Sequence, residues 1–177
     1  MPPEFDFEFN KLHDSVHKTI GLSKLEVKII DSRSFQRLRN IRQLSLTHYA
    51  FPGADYSRFA HSLGTCHLAG KLFDAVYKNP TKRQLKLKQE IRLAGLLHDI
   101  GHYPFSHTTE DAVKLYCKNN PSSMSGLVEK GEQPADESFT VPGYLDHENI
   151  GSKILHNIFR WDIWVLQLLL EVVFGIA

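Results

Sequence analysis

The chain lacks most of the features that settle a protein's class early. It has two cysteines, Cys66 and Cys117, neither in a CxxC pair. That excludes a disulfide framework and a cysteine-based zinc site, and it suits a reducing, intracellular compartment, cytoplasmic or nuclear. Net charge is nearly absent, with 21 basic against 20 acidic residues and a balance of +1. Bulk attraction to nucleic acid is therefore not indicated, and any anion site has to be local. There is no long hydrophobic run. The most apolar stretch, residues 163–177, carries Gln167 and Glu171 and falls short of the roughly 20 residues needed to cross a bilayer, so it reads as a core helix. Residues 4–9 alternate acids with phenylalanines and show neither the basic start nor the apolar centre of a secretion signal. Residues 1–10 read instead as an extension that packs on the domain surface or recruits a partner. No strand alternation, internal repeat or heptad array emerges, which points to an all-α bundle.

Short helical patterns fill the rest. Leu22, Leu25, Val27, Ile29 and Ile30, then Phe35, Leu38, Ile41 and Leu44, recur at three- and four-residue steps. Asp31-Ser32-Arg33-Ser34 divides them into two short helices, with Ser34 as the expected N-cap of the second. Ser57 is placed to open a helix through His61, Leu63, Cys66, Leu68, Leu72 and Val76, ended by Asn79-Pro80. Residues 81–89 hold Lys82, Arg83, Lys86 and Lys88 and read as a solvated helix face. Two further helices are expected after residue 107, one through Ala112, Val113, Leu115 and Tyr116, the other through Ile150, Ile154, Leu155 and Ile158. Between them, residues 120–142 are rich in Pro, Ser, Gly and Glu and read as a long mobile insertion.

The informative excess is histidine, ten in all, and its clustering. His98, Asp99, His102 and His107 fall in one short stretch behind the apolar run of Ile91, Leu93, Ala94, Leu96 and Leu97. Packing alone does not call for that density of metal-binding and proton-transferring groups. His98 and His102 stand one helical turn apart, and Asp99 is rotated by about 100° from His98 yet within reach of an ion at the helix end. Gly101 and Pro104 stop the helix, which lets His107 fold back over the same place.

An adjacent His-Asp pair at a helix end, with His61 upstream, resembles the HD superfamily of metal-dependent phosphohydrolases. The extended matches are Phe35-Gln36-Arg37-Leu38-Arg39, Phe51-Pro52-Gly53-Ala54, Arg58-Phe59-Ala60-His61-Ser62-Leu63-Gly64, His98-Asp99-Ile100-Gly101-His102, Pro104-Phe105-Ser106-His107 and His147-Glu148. In that order they are similar to the deoxynucleoside triphosphate (dNTP) triphosphohydrolase branch. The resemblance implies an HD-domain helical bundle over residues 11–177. It also implies conversion of a dNTP to deoxynucleoside and inorganic triphosphate, by attack of a metal-bound hydroxide on the α-phosphorus.

By the same resemblance, His61, His98 and Asp99 are metal ligands for a divalent ion that the residue types leave open among Mn, Fe, Zn and Mg. His102, His107 and His147 form the catalytic group, with His107 protonating the departing 5′-oxygen. Arg58 holds a phosphate oxygen. Gln43 contacts the sugar 3′-hydroxyl, and Leu44 lies against C2′, where it excludes ribose. Asp31, Gln36 and Arg39 match a regulatory guanine-nucleotide site, which implies a GTP or dGTP activator and a homo-oligomer, either a dimer or a nucleotide-driven tetramer. Apart from the resemblance, His61 would read as a buried core histidine, His102 as a helix C-cap cation and His147 as a helix-start residue. Arg58 would read as a surface ion pair, and Asp31 and Arg39 as ordinary charges at a helix boundary. The family pattern ends in a further, distant Asp, whereas only Asp162 follows His147-Glu148 here. A chain that stops inside its catalytic domain is therefore expected. The alternatives are a catalytically inactive HD module that binds nucleotide or a partner subunit, and another HD activity such as a nucleotidase or phosphodiesterase.

Overall fold

The computed structural model describes residues 5–105, 107–120 and 147–158. The expected insertion beyond Asn120, Asp162 and the apolar residues 163–177 lie outside the described residues. The fold is a helical bundle with one small addition that the sequence reading did not anticipate. Strands β1 (Asn10–Asp14) and β2 (Lys18–Leu22) form an antiparallel hairpin with Leu12 opposite Ile20. Asp14 Oδ2 accepts from the backbone N–H groups of Val16 and His17 at 2.9 and 2.8 Å, and Lys18 takes the left-handed conformation at φ 62° that closes the turn. Ile20 and Leu22 alternate into the core, but two residues are too short an alternation to stand out against the helical pattern that follows.

Helix α1 (Lys24–Ile30) begins at a capping box in which the Ser23 side chain accepts from Glu26 N–H and the Glu26 carboxylate accepts from Ser23 N–H. Helix α2 (Arg33–Gln36) is capped by Ser32, not Ser34, because Ser32 Oγ is the group that meets Phe35 N–H, at 3.3 Å. The helix expected to run on to Leu44 gives way to a 3₁₀ turn at Arg37–Asn40 and then to extended backbone at Ile41. There the chain pairs sideways instead: Arg58 N–H donates to the Ile41 carbonyl at 2.8 Å and Gln43 N–H to the Tyr56 carbonyl at 2.9 Å.

Ser57 caps α3 (Arg58–Val76) as expected, accepting from Ala60 N–H at 3.2 Å. After α4 (Lys82–Leu97) come α5 (His107–Asn119) and α6 (His147–Ile158). Helices α3 and α4 make the main packing layer, and Gly95 sits where a Cβ would be 3.2 Å from the backbone and side chain of Thr65. Phe35, Leu38, Phe59, Leu63, Leu93, Leu96, Leu97, Ile100 and Leu155 bury together between these elements. Among the described residues, no helix is long and apolar enough to cross a membrane.

A buried ion pair ties the layers. Arg92 on α4 donates to Glu26 through Nε at 2.7 Å and Nη2 at 2.9 Å, and also to the Gly21 carbonyl at 2.8 Å. Glu26 is wholly buried and Arg92 nearly so. One guanidinium thus fixes the hairpin and the cap of α1 to α4. Phe7, buried with Phe5 and Leu85, lies under the cations of Lys88 and Arg92. Lys88 is accordingly not part of a solvated face: its ammonium is drawn to Asp74, 2.8 Å away. Removing one partner of the buried Arg92–Glu26 pair strands the other, so Glu26→Ala should lower unfolding free energy by about 3–5 kcal/mol. Urea denaturation reads this directly, and a loss under about 1 kcal/mol would show that the pair does not tie the layers.

Candidate metal centre

The site forms where the start of α3 meets the end of α4. Arg58 and His61 are three residues apart in the first turns of α3 and so share a face. Helix α4 ends at Leu97, with His98 as its C-cap. Residues 98–102 continue as turns, with Ile100 N–H donating to the Leu97 carbonyl and His102 N–H to the Asp99 carbonyl, at 3.0 and 3.2 Å. His61, His98 and Asp99 each offer a ligand atom, all within 4.8 Å of one another. His61 Nε2 is 3.7 Å from Asp99 Oδ2 and His98 Nε2 is 3.5 Å from Asp99 Oδ1, and the two rings meet edge to face at 5.2 Å.

Two details show that these residues fit a cation. The Nδ1–H of His98 donates to the Gly95 carbonyl at 3.0 Å, which leaves Nε2 as the ring atom turned toward the Asp99 carboxylate. In addition, Asp99 Oδ2 is buried and accepts no well-aligned hydrogen bond among the described residues. Burial by itself would raise the Asp99 carboxyl, but the hydrogen bond from His102 and the charges of His98 and Arg58 outweigh it and hold the group well below the usual carboxylate range. Burial pushes His61 and His102 below the ordinary imidazole value, which favours the neutral form a metal ligand requires.

A second group adjoins the first. His102 and His147 stack in parallel, 4.0 Å between centroids and 10° between planes, and both have Nδ1 near Glu110 Oε1, at 3.6 and 3.1 Å. His102 Nε2 lies 3.4 Å from Asp99 Oδ1, so the two groups connect through one imidazole. These three residues also offer ligand atoms within 4.8 Å of one another. An imidazole binds an ion in its own plane, however, and parallel stacked rings do not direct their lone pairs at a common point, so this group suits proton handling better than metal. Gly101 permits the stack, because a Cβ there would collide with the His147 carbonyl and lie 2.6 Å from Gly151 N.

Glu110 escaped the sequence reading. It is the acid in the first turn of α5, followed by Asp111, and nothing in its flanks marks it as buried, yet it is 6% exposed. Arg37 was quoted within a motif but given no role. Its guanidinium donates to the carbonyls of Ile100 and, at 2.7 Å, His102, so it holds the turn that carries Asp99 and His102. The His107 side chain lies outside the described residues.

Of the expected substrate residues, Arg58 contacts Asp99 at 2.6 Å. The pairing of residues 41–43 with 56–58 sets Gln43 against Tyr56, two residues before Arg58, with Leu44 just past the paired residues and exposed, and Gln43 Oε1 is buried with no partner among the described residues. The expected regulatory trio is linked: Arg39 Nε donates to Gln36 Oε1 at 2.7 Å, and Gln36 Nε2 donates to the Ile30 carbonyl at 2.8 Å, next to Asp31 at the C-cap of α1. The Arg39 guanidinium lies 3.6 Å above the Phe59 ring. A cavity of about 310 Å³ lined by Asp14, His17, Tyr56 and Gly64 opens onto His61, and a groove of about 500 Å³ lined by Arg39, His48, Tyr49 and Phe105 includes none of the residues of either cluster.

The depressed imidazoles predict a pH dependence. The unfolded chain takes up protons as pH falls through 6.5, whereas His61 and His102 in the folded chain resist them. Their contribution to stability is intact above that pH and declines below it until the folded state protonates too. With metal removed by EDTA, the urea midpoint should fall between about pH 7.5 and about pH 5.5, and fall less in His102→Gln. An identical fall in that variant would show that the buried imidazole is not responsible.

Residues 58–174 match the HD domain family. An uncharacterised protein of Methanocaldococcus jannaschii is 46% identical over 99 residues, 56% of this chain and 20% of its own length. The deoxynucleoside triphosphate triphosphohydrolase SAMHD1 of Homo sapiens is 46% identical over 98 residues, 54% of this chain and 16% of its own length. The protein of the same name from Gallus gallus is 44% identical over 129 residues, 72% of this chain and 20% of its own length. The chain thus spans a fifth or less of the length of these curated relatives. The HD match begins at Arg58 and runs through every residue of both clusters, and the chain belongs to the HD domain family.

Proposed function

We propose that the chain carries the metal centre of a dNTP triphosphohydrolase, which releases deoxynucleoside and inorganic triphosphate. The observation that carries this reading is the convergence of His61, His98 and Asp99 on one point, with Arg58 and the His102–Glu110–His147 group on its border. The similarity to proteins named as dNTP triphosphohydrolases supports the substrate class. A divalent ion held there, Mn, Fe, Zn or Mg, would supply charge neutralisation and activation of water.

The chain's own residues do the rest. Arg58 offers a planar pair of donors to a phosphate oxygen. His102, held between Asp99 and Glu110, and His147, oriented by its bond to Glu110, line the place where a phosphate would sit, and His107 protonates the departing 5′-oxygen. Gln43 meets the sugar 3′-hydroxyl with its buried amide, while Leu44 closes on C2′ and disfavours ribose. Asp31, Gln36 and Arg39 take a guanine nucleotide that activates the enzyme and promotes assembly of copies. Residues 11–177 are part of the HD domain, with residues 1–10 as an extension before it.

The test is release of deoxynucleoside and triphosphate from each dNTP, with Mn²⁺ or Mg²⁺, with and without GTP, and with ribonucleotides and phosphodiesters as competitors. Release that disappears in Asp99→Ala is the expected result, whereas turnover of a phosphodiester in preference to every dNTP would replace the substrate assignment. Glu110→Gln should cut kcat by about 10- to 100-fold with KM little changed, since it frees the His147 ring without touching the phosphate contacts.

A further inference from the structure

This inference rests on the reading of His61, His98 and Asp99 as a cation site. The Asp99 carboxylate has a cation of its own chain beside it. Arg58 Nη1 lies 2.6 Å from Asp99 Oδ2, with the two side chains 3% and 8% exposed. That oxygen is also the one that faces His61 Nε2, at 3.7 Å. The guanidinium meets it out of line, since Oδ2 accepts no well-aligned hydrogen bond. Charge is therefore supplied to Asp99 by a contact that leaves the hydrogen-bonding capacity of that oxygen unused.

We propose that Arg58 is a built-in competitor of the metal: its guanidinium is the resident counter-cation of Asp99, yields that carboxylate when a divalent cation enters, and then becomes available to a phosphate oxygen. The physical reason is the enclosure. A buried carboxylate needs a counter-charge to stay ionised. A dication and a guanidinium at one carboxylate oxygen repel each other with little water between them to screen the repulsion. The two cations oppose each other at Oδ2, and an added anion that draws the guanidinium off removes that opposition. Filling of the metal site and binding of a phosphate then favour each other, as linkage requires. A residue that merely braced the site would act in the opposite sense, because its loss would loosen Asp99 and weaken the metal.

The experiment titrates the full chain, stripped with EDTA, with Co²⁺, followed by visible absorption and calorimetry, for the natural sequence, Arg58→Gln and Arg58→Lys. Thermal melts establish that each is folded, and Arg58→Met stands in if the glutamine variant is not. Arg58→Gln should bind Co²⁺ about tenfold tighter, and Arg58→Lys, which keeps the charge, should stay within about threefold of the natural chain. Inorganic phosphate should tighten Co²⁺ binding to the natural chain and not to Arg58→Gln. Equal or weaker binding by a folded Arg58→Gln, when the natural chain binds, overturns the competitor role and leaves the cation site standing. A phosphate effect equal in both overturns the hand-over of the guanidinium, and no Co²⁺ binding in any of the proteins overturns the cation site as well.

Discussion

A carboxylate closed off from water has to be surrounded by positive charge or donated hydrogen bonds, and in this chain that requirement falls on Asp99. It is 6% exposed, and Arg58, His61, His98 and His102 all lie within 4 Å of its oxygens. Two of these come from the first turns of α3 and two from the turn that ends α4, so the two helices must approach closely at that end. The small Gly95 against Thr65 allows it, and the shared core of Phe59, Leu63, Leu93, Leu96 and Leu97 holds it. A few turns earlier on α4, Arg92 and Glu26 meet the same constraint with the signs exchanged, and there the result is purely architectural.

The groups that position the site are mostly backbone contacts made from a distance in sequence. Arg37 reaches more than sixty residues along the chain to the carbonyls of Ile100 and His102, groups that the end of α4 leaves without helical partners. Gly101, lying between those two carbonyls, admits the backbone of α6, and that contact sets His147 over His102. Glu110 then accepts from His147 and stands 3.6 Å from His102 Nδ1. Each contact narrows the freedom of a ring nitrogen, which is what a site that binds an ion and moves protons requires.

How much of this was legible in the sequence differs from one residue to the next. His98 and Asp99 stood out because histidine beside aspartate behind a buried apolar run is costly unless it has a task, whereas His61 was marked only by its match to the family pattern, and the structure brings the three together. The α3 start was legible because Ser57 is the one capping side chain next to Arg58. The choice between Ser32 and Ser34 was not, since both are serines and what decides it is the burial of Phe35. Glu110 and Arg37 were illegible as site residues for a similar reason: a buried charge is marked by its partners, which here come from other elements, His147 of α6 for Glu110 and the turn after α4 for Arg37. The hairpin was hidden by its brevity, and Arg92, which holds the Gly21 carbonyl, lies far along the sequence.

The most direct test of the central claim is a crystal structure grown with Mn²⁺ or Co²⁺, with anomalous differences collected at the edge of the metal. The account predicts one strong peak about 2.0–2.3 Å from His61 Nε2, His98 Nε2 and an Asp99 oxygen. A peak instead between His102, Glu110 and His147, or none near Asp99, would contradict it.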